Sequence, residues 1–369
     1  MSPDLVPRGP VLGRNGAVSA GHPLAAATAL NVLCAGGNAV DAAIAGSAVQ
    51  CVAEMPWCGI GGDAFALVTE PGGSVVAFNG SGRAPGRILE RASSAKLPRF
   101  GVSSVAVPGT IDAWSELSLR FGTRPLDVLL APAIRYAAEG VPVDPRLDRA
   151  FAHLPTIDHG AEILPLLADN GHRLGEVFRQ PALGATLAAV AAGGRDAFYR
   201  GAIAERIAAH VAARGGVLDT DDLATHRGEW TEPLQVLYRG TTVSTQPPVS
   251  MGILLLIALR ILDRSGADPG TLDGVALADL LVRIKHATFG HALRELGDPE
   301  AVGHNGASLL TDDWIDRCVQ EVAAGAVAPL PAGPLVASGT DTTSLAVVDA
   351  SGMAVSFIHS LFNEFGARE

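Results

Sequence analysis

Aromatic residues make up only 5% of this 369-residue chain and charged residues 18%, against 48% apolar. A composition so poor in charge and rich in apolar side chains buries a sizeable core, which excludes disorder as the general state. Basic residues are in short supply, with 27 Lys+Arg against 38 Asp+Glu and a net charge of −11. The Lys/Arg clusters that neutralise phosphates are missing, so nucleic acid is excluded as an expected partner. Long apolar runs are missing as well. The longest, Met251 to Leu262, is 12 residues and contains Arg260, short of the ~20 that cross a bilayer. No membrane partner is expected. The start, MSPDLVPRGPVLGRNG, shows no apolar segment of a secretory signal, and a cytoplasmic location is the expectation.

Cysteine is also scarce. Cys34, Cys51, Cys58 and Cys318 form no C-x-x-C pair and no zinc spacing, so reduced, mostly core thiols are expected. The nearest histidines, His286 and His291, are five apart and do not share a helical face as i, i+4 residues do. No metal site is expected. There is no G-x-x-x-x-G-K-[ST], H-E-x-x-H or G-x-S-x-G. Gly59 to Ala64 matches G-x-G-x-x-A, but the dinucleotide fingerprint needs a strand before it and a helix after it. Here the order is reversed, and a tight backbone turn between helix and strand is the reading.

About 150 residues per domain suggests two units for this length. Apolar residues at helical spacing from Leu24 to Cys34 stop at Gly36-Gly37, a left-handed C-terminal cap. Asn38, with Asp41 three residues on, caps a second helix over Ala39 to Ala53. Strands follow at Ala64 to Val68 and Val75 to Asn79, turning at Pro71-Gly72-Gly73. From Pro108 to about Gly228 the pattern is helical, broken at Gly122, Gly140, Gly193-Gly194 and Gly215-Gly216. A hairpin is predicted around Arg239-Gly240, then helices within Ser250 to Leu262, Gly274 to Leu296 and Thr311 to Ala324.

The stretch 326–341, AVAPLPAGPLVASGTD, has neither period and reads as an exposed linker. At Thr342 the pattern changes abruptly to strand, turn, strand, through Asp349-Ala350-Ser351-Gly352 to Ile358. The hydroxyls of Thr340, Thr342, Thr343 and Ser344 have a plain structural explanation, because threonine favours strands. Asn79-Gly80-Ser81 is formally a glycosylation sequon but reads as a turn.

Several blocks in series change that balance. They are His22-Pro23-Leu24-Ala25, Gly36 to Ala43, Gly59-Ile60-Gly61-Gly62, Val107-Pro108-Gly109-Thr110, Leu130 to Ile134, Ala197 to Gly201, Gly215-Gly216 with Asp222-Leu223, and Thr342-Thr343 leading into Val347-Val348-Asp349. In that order they resemble the γ-glutamyltranspeptidase family of N-terminal-nucleophile hydrolases over residues 15 to 366. The resemblance implies an α/β protein of the four-layer αββα fold. It implies a precursor that cuts itself between Asp341 and Thr342, with Thr342 the nucleophile, Thr343 supporting it and Ser360 positioning it. Residues 1–341 would then be the large-subunit region and 342–369 the incomplete start of the small-subunit region. The two would form a heterodimer of the chain's own cleavage products.

The chemistry suits the residue. A free α-amine has an unperturbed pKa of about 7.7–8.0 and serves as the base for its own hydroxyl, whereas an amide nitrogen does not. Amide cleavage would run through an acyl-threonine ester resolved by water or an amine, without metal or organic cofactor. Departures bear on the substrate. The family's glutamate-binding arginine lies in R-E-x-A-P, whereas this chain reads Ser81-Gly82-Arg83-Ala84-Pro85. Arg83 and Ser81 are the expected substrate-binding residues, with the anchor moved by roughly 6–7 Å if the segment is extended. Ser344 and Phe362 stand where transpeptidases tend to have histidine and asparagine. Asn79 to Pro85 and Cys58 to Asp63 are similar to the oxamate amidohydrolase and acylase-like branch. The substrate expected is a γ-glutamyl compound or a small carboxylate-bearing amide. The competing expectation is an inactive truncated relative acting as a scaffold, since the family's oxyanion-hole glycines lie past position 369.

Overall fold

The computed structural model describes residues 12–90, 97–160, 163–168, 170–325 and 342–369. The linker at 326–341, with Asp341 and the expected cleavage point, lies outside the described residues. The chain opens with strand β1 (Gly16–Ala20), helices α1 (Pro23–Cys34) and α2 (Ala39–Ala53), and the hairpin β2 (Asp63–Thr69) and β3 (Val75–Gly80). A helical stretch follows: α3 (Thr110–Phe121), α4 (Leu126–Glu139), β4 (Val141–Pro142), α5 (Pro145–His153), β5 (Val177–Phe178), α6 (Pro181–Tyr199), α7 (Gly201–Ala213) and α8 (Thr220–Thr225). Next come β6 (Glu229–Thr231), the hairpin β7 (Leu234–Tyr238) and β8 (Thr241–Thr245), and α9 (Ile253–Arg264), α10 (Gly274–Glu295), α11 (Pro299–Val302) and α12 (Asp312–Ala323). The strands β9 (Thr342–Asp349) and β10 (Ala354–Ser360) complete it.

Local signals account for the boundaries near the site. His22 accepts the Leu24 N–H and Pro23 occupies the first turn of α1, where proline's missing N–H costs nothing. Past the end of α1, Gly36 takes φ +80°, a conformation that costs glycine no Cβ clash. Asn38 and Asp41 form a reciprocal capping box on α2, with contacts of 2.9 and 3.0 Å. The glycine pair at 193–194 interrupts α6 as expected: Gly194 takes the non-helical φ +64°, ψ −155°, so two helical pieces meet at a kink there. Of the thiols, Cys51, Cys58 and Cys318 are buried but Cys34, at the end of α1, is exposed. No helix among the described residues is long and apolar enough to cross a membrane.

Six strands make one antiparallel sheet in the order β1-β9-β10-β2-β3-β6. In β9 the residues Thr343, Leu345 and Val347 are buried while Thr342, Ser344, Ala346 and Val348 are exposed. In β10, Val355, Phe357 and His359 share the buried side. That side packs on α2, all fifteen residues of which are buried. A helix apolar almost all round must sit inside a fold, here between the sheet and helices α1 and α4. The opposite face of the sheet is open, with Val348 and Ile358 each about two-fifths exposed. The α/β class is as expected, with a helical layer on one face of an antiparallel sheet. A second core forms where α9, α10 and α12 pack with the β7–β8 hairpin, around Ile257, Ile284 and Ile315. Strands β1 and β6 lie at the sheet edges and carry no sequence pattern strong enough to predict them; pairing with β9 and β3 defines them.

Candidate active site

The end of the sheet lines up three polar residues from three strands. Thr342 on β9 is the register partner of Ser360 on β10, and Ser360 is the partner of Asp63 on β2. Directly opposed residues point to the same face, so these side chains share one row. Thr342 Oγ1 lies 2.9 Å from Ser360 Oγ. Ser360 Oγ also accepts the Phe362 backbone N–H at 2.9 Å, which fixes the hydroxyl's position. Phe362, with φ +68°, turns the chain sharply so that its N–H reaches back two residues.

Asp63 was not singled out by the sequence. Its Oδ1 accepts the Gly82 N–H at 2.7 Å. Burial pushes its carboxyl up to about 6, and the Gly82 hydrogen bond offsets this only in part. The turn before it is glycine-rich for a steric reason: a Cβ on Gly62 would lie 2.1 Å from the Ser360 carbonyl oxygen. The Gly62 carbonyl in turn accepts N–H groups from Gly109 and Thr110 at the start of α3. The G-x-G-x-x-A segment is thus the expected backbone turn, and it seats β10.

On the other side of β9, Thr343 turns inward to a buried polar cluster. Its hydroxyl donates to Glu54 Oε2 at 3.0 Å and accepts from Gln50 Nε2 at 2.9 Å. Gln50 Nε2 also donates to Glu54 Oε2 at 2.8 Å, and Arg146 donates to Glu54 Oε1 at 3.1 Å. The Glu54 side chain is 2% exposed, and the guanidinium and the two hydrogen bonds occupy the oxygens that burial takes from water. Gly21 completes the packing, for a Cβ there would stand 2.6 Å from both Glu54 Oε1 and Thr343 Oγ1. Thr343 therefore anchors the strand from beneath while its neighbour presents a hydroxyl above. Gln50 and Glu54, one helical turn apart, were a readable signal: two polar residues on one face of an otherwise apolar run.

A threonine at the head of a central strand, with a second hydroxyl beside it and a buried anchor below, fits the blocks noted in the sequence. The family model described as Gamma-glutamyltranspeptidase matches residues 25–369. The chain belongs to the γ-glutamyltranspeptidase family. It is 33% identical to the glutathione hydrolase-like YwrD proenzyme of Bacillus subtilis, over 97% of this chain and 69% of that protein. It is 33% identical to the oxamate amidohydrolase proenzyme of Klebsiella pneumoniae, over 96% and 68% respectively. Among solved structures, cephalosporin acylase from Bacillus halodurans superposes with a TM-score of 0.84 at 34% identity, covering 99% of this chain and 70% of that one. The chain is accordingly an amidohydrolase of the γ-glutamyltranspeptidase and acylase type, with the N-terminal-nucleophile hydrolase fold.

Within this member of the γ-glutamyltranspeptidase family, the two expected substrate-binding residues sit just past β3, at the same end of the sheet. Ser81 turns back on Asn79, whose Oδ1 accepts both its N–H at 3.0 Å and its hydroxyl at 2.7 Å. Arg83 is half-exposed and held by its own chain: Glu300 accepts from both guanidinium nitrogens at 3.0 Å, and Glu229 from one at 3.0 Å. Ser344 lies on the open face of β9, two residues along from Thr342. The structure thus brings Thr342, Ser360 and Asp63 into one row, sets Thr343 on the reverse face, and gives Arg83 two carboxylate partners.

Proposed function

We propose that this chain is the precursor of a threonine-dependent amidohydrolase, and that the Thr342–Ser360 pair both frees and positions its nucleophile. The single observation that carries the reading is the 2.9 Å contact between the two hydroxyls at the head of a strand held on both sides. In the precursor, Thr342 Oγ1 attacks the Asp341 carbonyl carbon. The C–O ester forms as the C–N bond breaks, and the departing nitrogen takes up the hydroxyl proton to become the α-amine. Water then splits the ester, leaving the Asp341 carboxylate and a new N-terminal threonine. In turnover that amine accepts the Oγ1 proton, the hydroxyl takes the acyl group from an amide, and water or an amine acceptor releases it. Ser360 supports the oxygen at each stage through its hydrogen bond.

The substrate class is a γ-glutamyl compound or a small amide bearing a carboxylate. Glutathione hydrolase and oxamate amidohydrolase, the names of two relatives, bracket these alternatives. Arg83 is the proposed carboxylate partner. It already binds carboxylates bidentately through Glu300, the geometry that a substrate carboxylate takes when it displaces one.

The first experiment is N-terminal sequencing of the purified protein after prolonged incubation, expecting a small fragment that begins Thr342-Thr343-Ser344. An uncut chain that hydrolyses neither γ-glutamyl-p-nitroanilide nor oxamate overturns the proposal in favour of a scaffold. In active protein, Arg83→Ala is expected to raise KM about tenfold or more, the ~1.4 kcal/mol equivalent of one lost charged contact. Unchanged KM removes Arg83 from the pocket.

A further inference from the structure

Beneath the catalytic row, α2, the turn after it and β10 bring together three side chains that the proposed reaction does not use. Cys51, Cys58 and His359 place two sulfurs and an imidazole nitrogen within 4.8 Å of one another. All three are at most 1% exposed. We propose that this cluster is a structural site for a zinc-class divalent ion, bound by Cys51 Sγ, Cys58 Sγ and His359 Nδ1, with the Ser47 hydroxyl at the fourth corner.

Hydrogen bonding settles which imidazole nitrogen is available. The Gln50 amide nitrogen is committed to Glu54 and Thr343, so its oxygen is what faces His359 Nε2, at 3.1 Å. That oxygen only accepts, and Nε2 therefore carries the proton. Nδ1 is left with its lone pair directed at Cys51 Sγ, 3.7 Å away, and Ser47 Oγ, 3.4 Å away. This is the arrangement in which an amide one shell out fixes the tautomer of a metal-binding histidine. Trp114 Nε1 donates to Ser47 Oγ at 2.9 Å and holds that hydroxyl in place.

The spacings match those between the donors of a bound ion. Zinc bonds of about 2.0–2.1 Å to nitrogen and about 2.3 Å to sulfur, at a tetrahedral angle, separate N and S by about 3.5 Å. The observed 3.7 Å is close to that separation. The 3.4 Å from Nδ1 to Ser47 Oγ likewise approaches the roughly 3.3 Å between two tetrahedral N and O donors. As a hydrogen bond the 3.4 Å contact from Ser47 is long. Charge favours the same ion. On binding, both thiols lose their protons to solvent, including the one Cys58 now donates to the Glu54 carbonyl. Two thiolates, a neutral imidazole and M²⁺ sum to zero, which suits a site without solvent exposure, whereas a monovalent ion leaves a buried negative charge. With no open path to the ligands, the ion is captured during folding.

The full-length protein is produced in minimal medium supplemented with zinc or, separately, with cobalt as the spectroscopic probe, then desalted and its metal content measured. The expected result is one ion per chain, with thiolate-to-cobalt charge transfer and tetrahedral ligand-field absorption in the cobalt form. Cys51→Ser and Cys58→Ser are each expected to lose nearly all bound metal, and Cys34→Ser to lose none. Should the two buried variants fail to fold, the wild-type protein alone decides the matter: mercurial titration of its thiols releases the ion stoichiometrically. Metal-free folded wild-type protein overturns the proposal, as does a Cys51–Cys58 disulfide in its place. Metal retained by Cys51→Ser/Cys58→Ser assigns the ion elsewhere and overturns it equally.

Discussion

Ser360 does two jobs with one oxygen, accepting the Phe362 N–H and meeting the Thr342 hydroxyl. Removing it leaves the proposed nucleophile present but unsupported, so Ser360→Ala is expected to slow both the proposed self-cleavage and turnover by about 10²-fold or more, the usual worth of a positioned proton-handling group. Thr342→Ala is expected to stay one 37.8 kDa band on denaturing gels, and Ser360→Thr to recover most of the rate. Asp63 allows a test through stability. Its carboxyl is raised from an ordinary value of 3.8 to about 6, so between those pH values the folded state holds a proton that the unfolded chain has released. Stability from this group is therefore present at low pH and is lost as pH rises through about 6. Asp63→Asn keeps an acceptor for Gly82 and removes the half-buried charge. Denaturant titration is expected to find it more stable than wild type by on the order of 1–3 kcal/mol at pH 7.5, with the gain vanishing near pH 4. A gain that is the same at both pH values sinks the assignment.

At the scale of elements, α2 carries the anchor. Gln50 on its last turn and Glu54, which caps its C-terminus, hold Thr343, and Arg146 on α5 pairs with Glu54 from the far side. Arg146→Ala leaves a carboxylate with a 2% exposed side chain facing no cation, and the guanidinium's stacking on Trp57 at 4.0 Å is lost too. Unpairing a buried charge typically costs 3–5 kcal/mol. Because the Arg146 side chain is itself 40% exposed, the lower end, about 3 kcal/mol, is expected in urea titrations at pH 7. Arg146→Lys is expected to restore part of it. Thr343→Val keeps the shape but leaves Gln50 and Glu54 short of a partner, for an expected loss of about 1–3 kcal/mol. Its strand head loosens as well, so self-cleavage is expected to slow along with it.

At the scale of the whole molecule, the sheet order has a consequence for processing. Residues 342–369 supply β9 and β10, which lie side by side in the sheet's interior, β9 against β1 and β10 against β2. The proposed cleavage before Thr342 would therefore cut a connection without removing a strand from the edge. Leu345, Val347, Val355 and Phe357 remain buried against α2. The two pieces are expected to co-elute on size exclusion in native buffer and to separate only in denaturant. A small fragment that elutes alone argues against these strands being the sheet's centre.

Periodicity and capping in the sequence were sufficient for the elements: α1 and α2, the β2–β3 hairpin, α9, α10 and α12 and the strand-turn-strand after Thr342 all lie where the pattern puts them. Those signals are local, written in neighbours three, four or two residues apart. Thr342 as the proposed nucleophile came from serial resemblance; the structure shows its hydroxyl 2.9 Å from that of Ser360. What the chain order could not express is adjacency between distant segments. Asp63 joins the row through register alone. Glu54 becomes an anchor only when Arg146 and Thr343 close on it from positions 92 and 289 residues away. Arg83 acquires Glu229 and Glu300 as partners across 146 and 217 residues. Cys51 and Cys58 gain a histidine 308 residues beyond Cys51. Spacing rules report a site only when neighbouring residues supply its groups, and each of these is assembled from segments far apart in the chain.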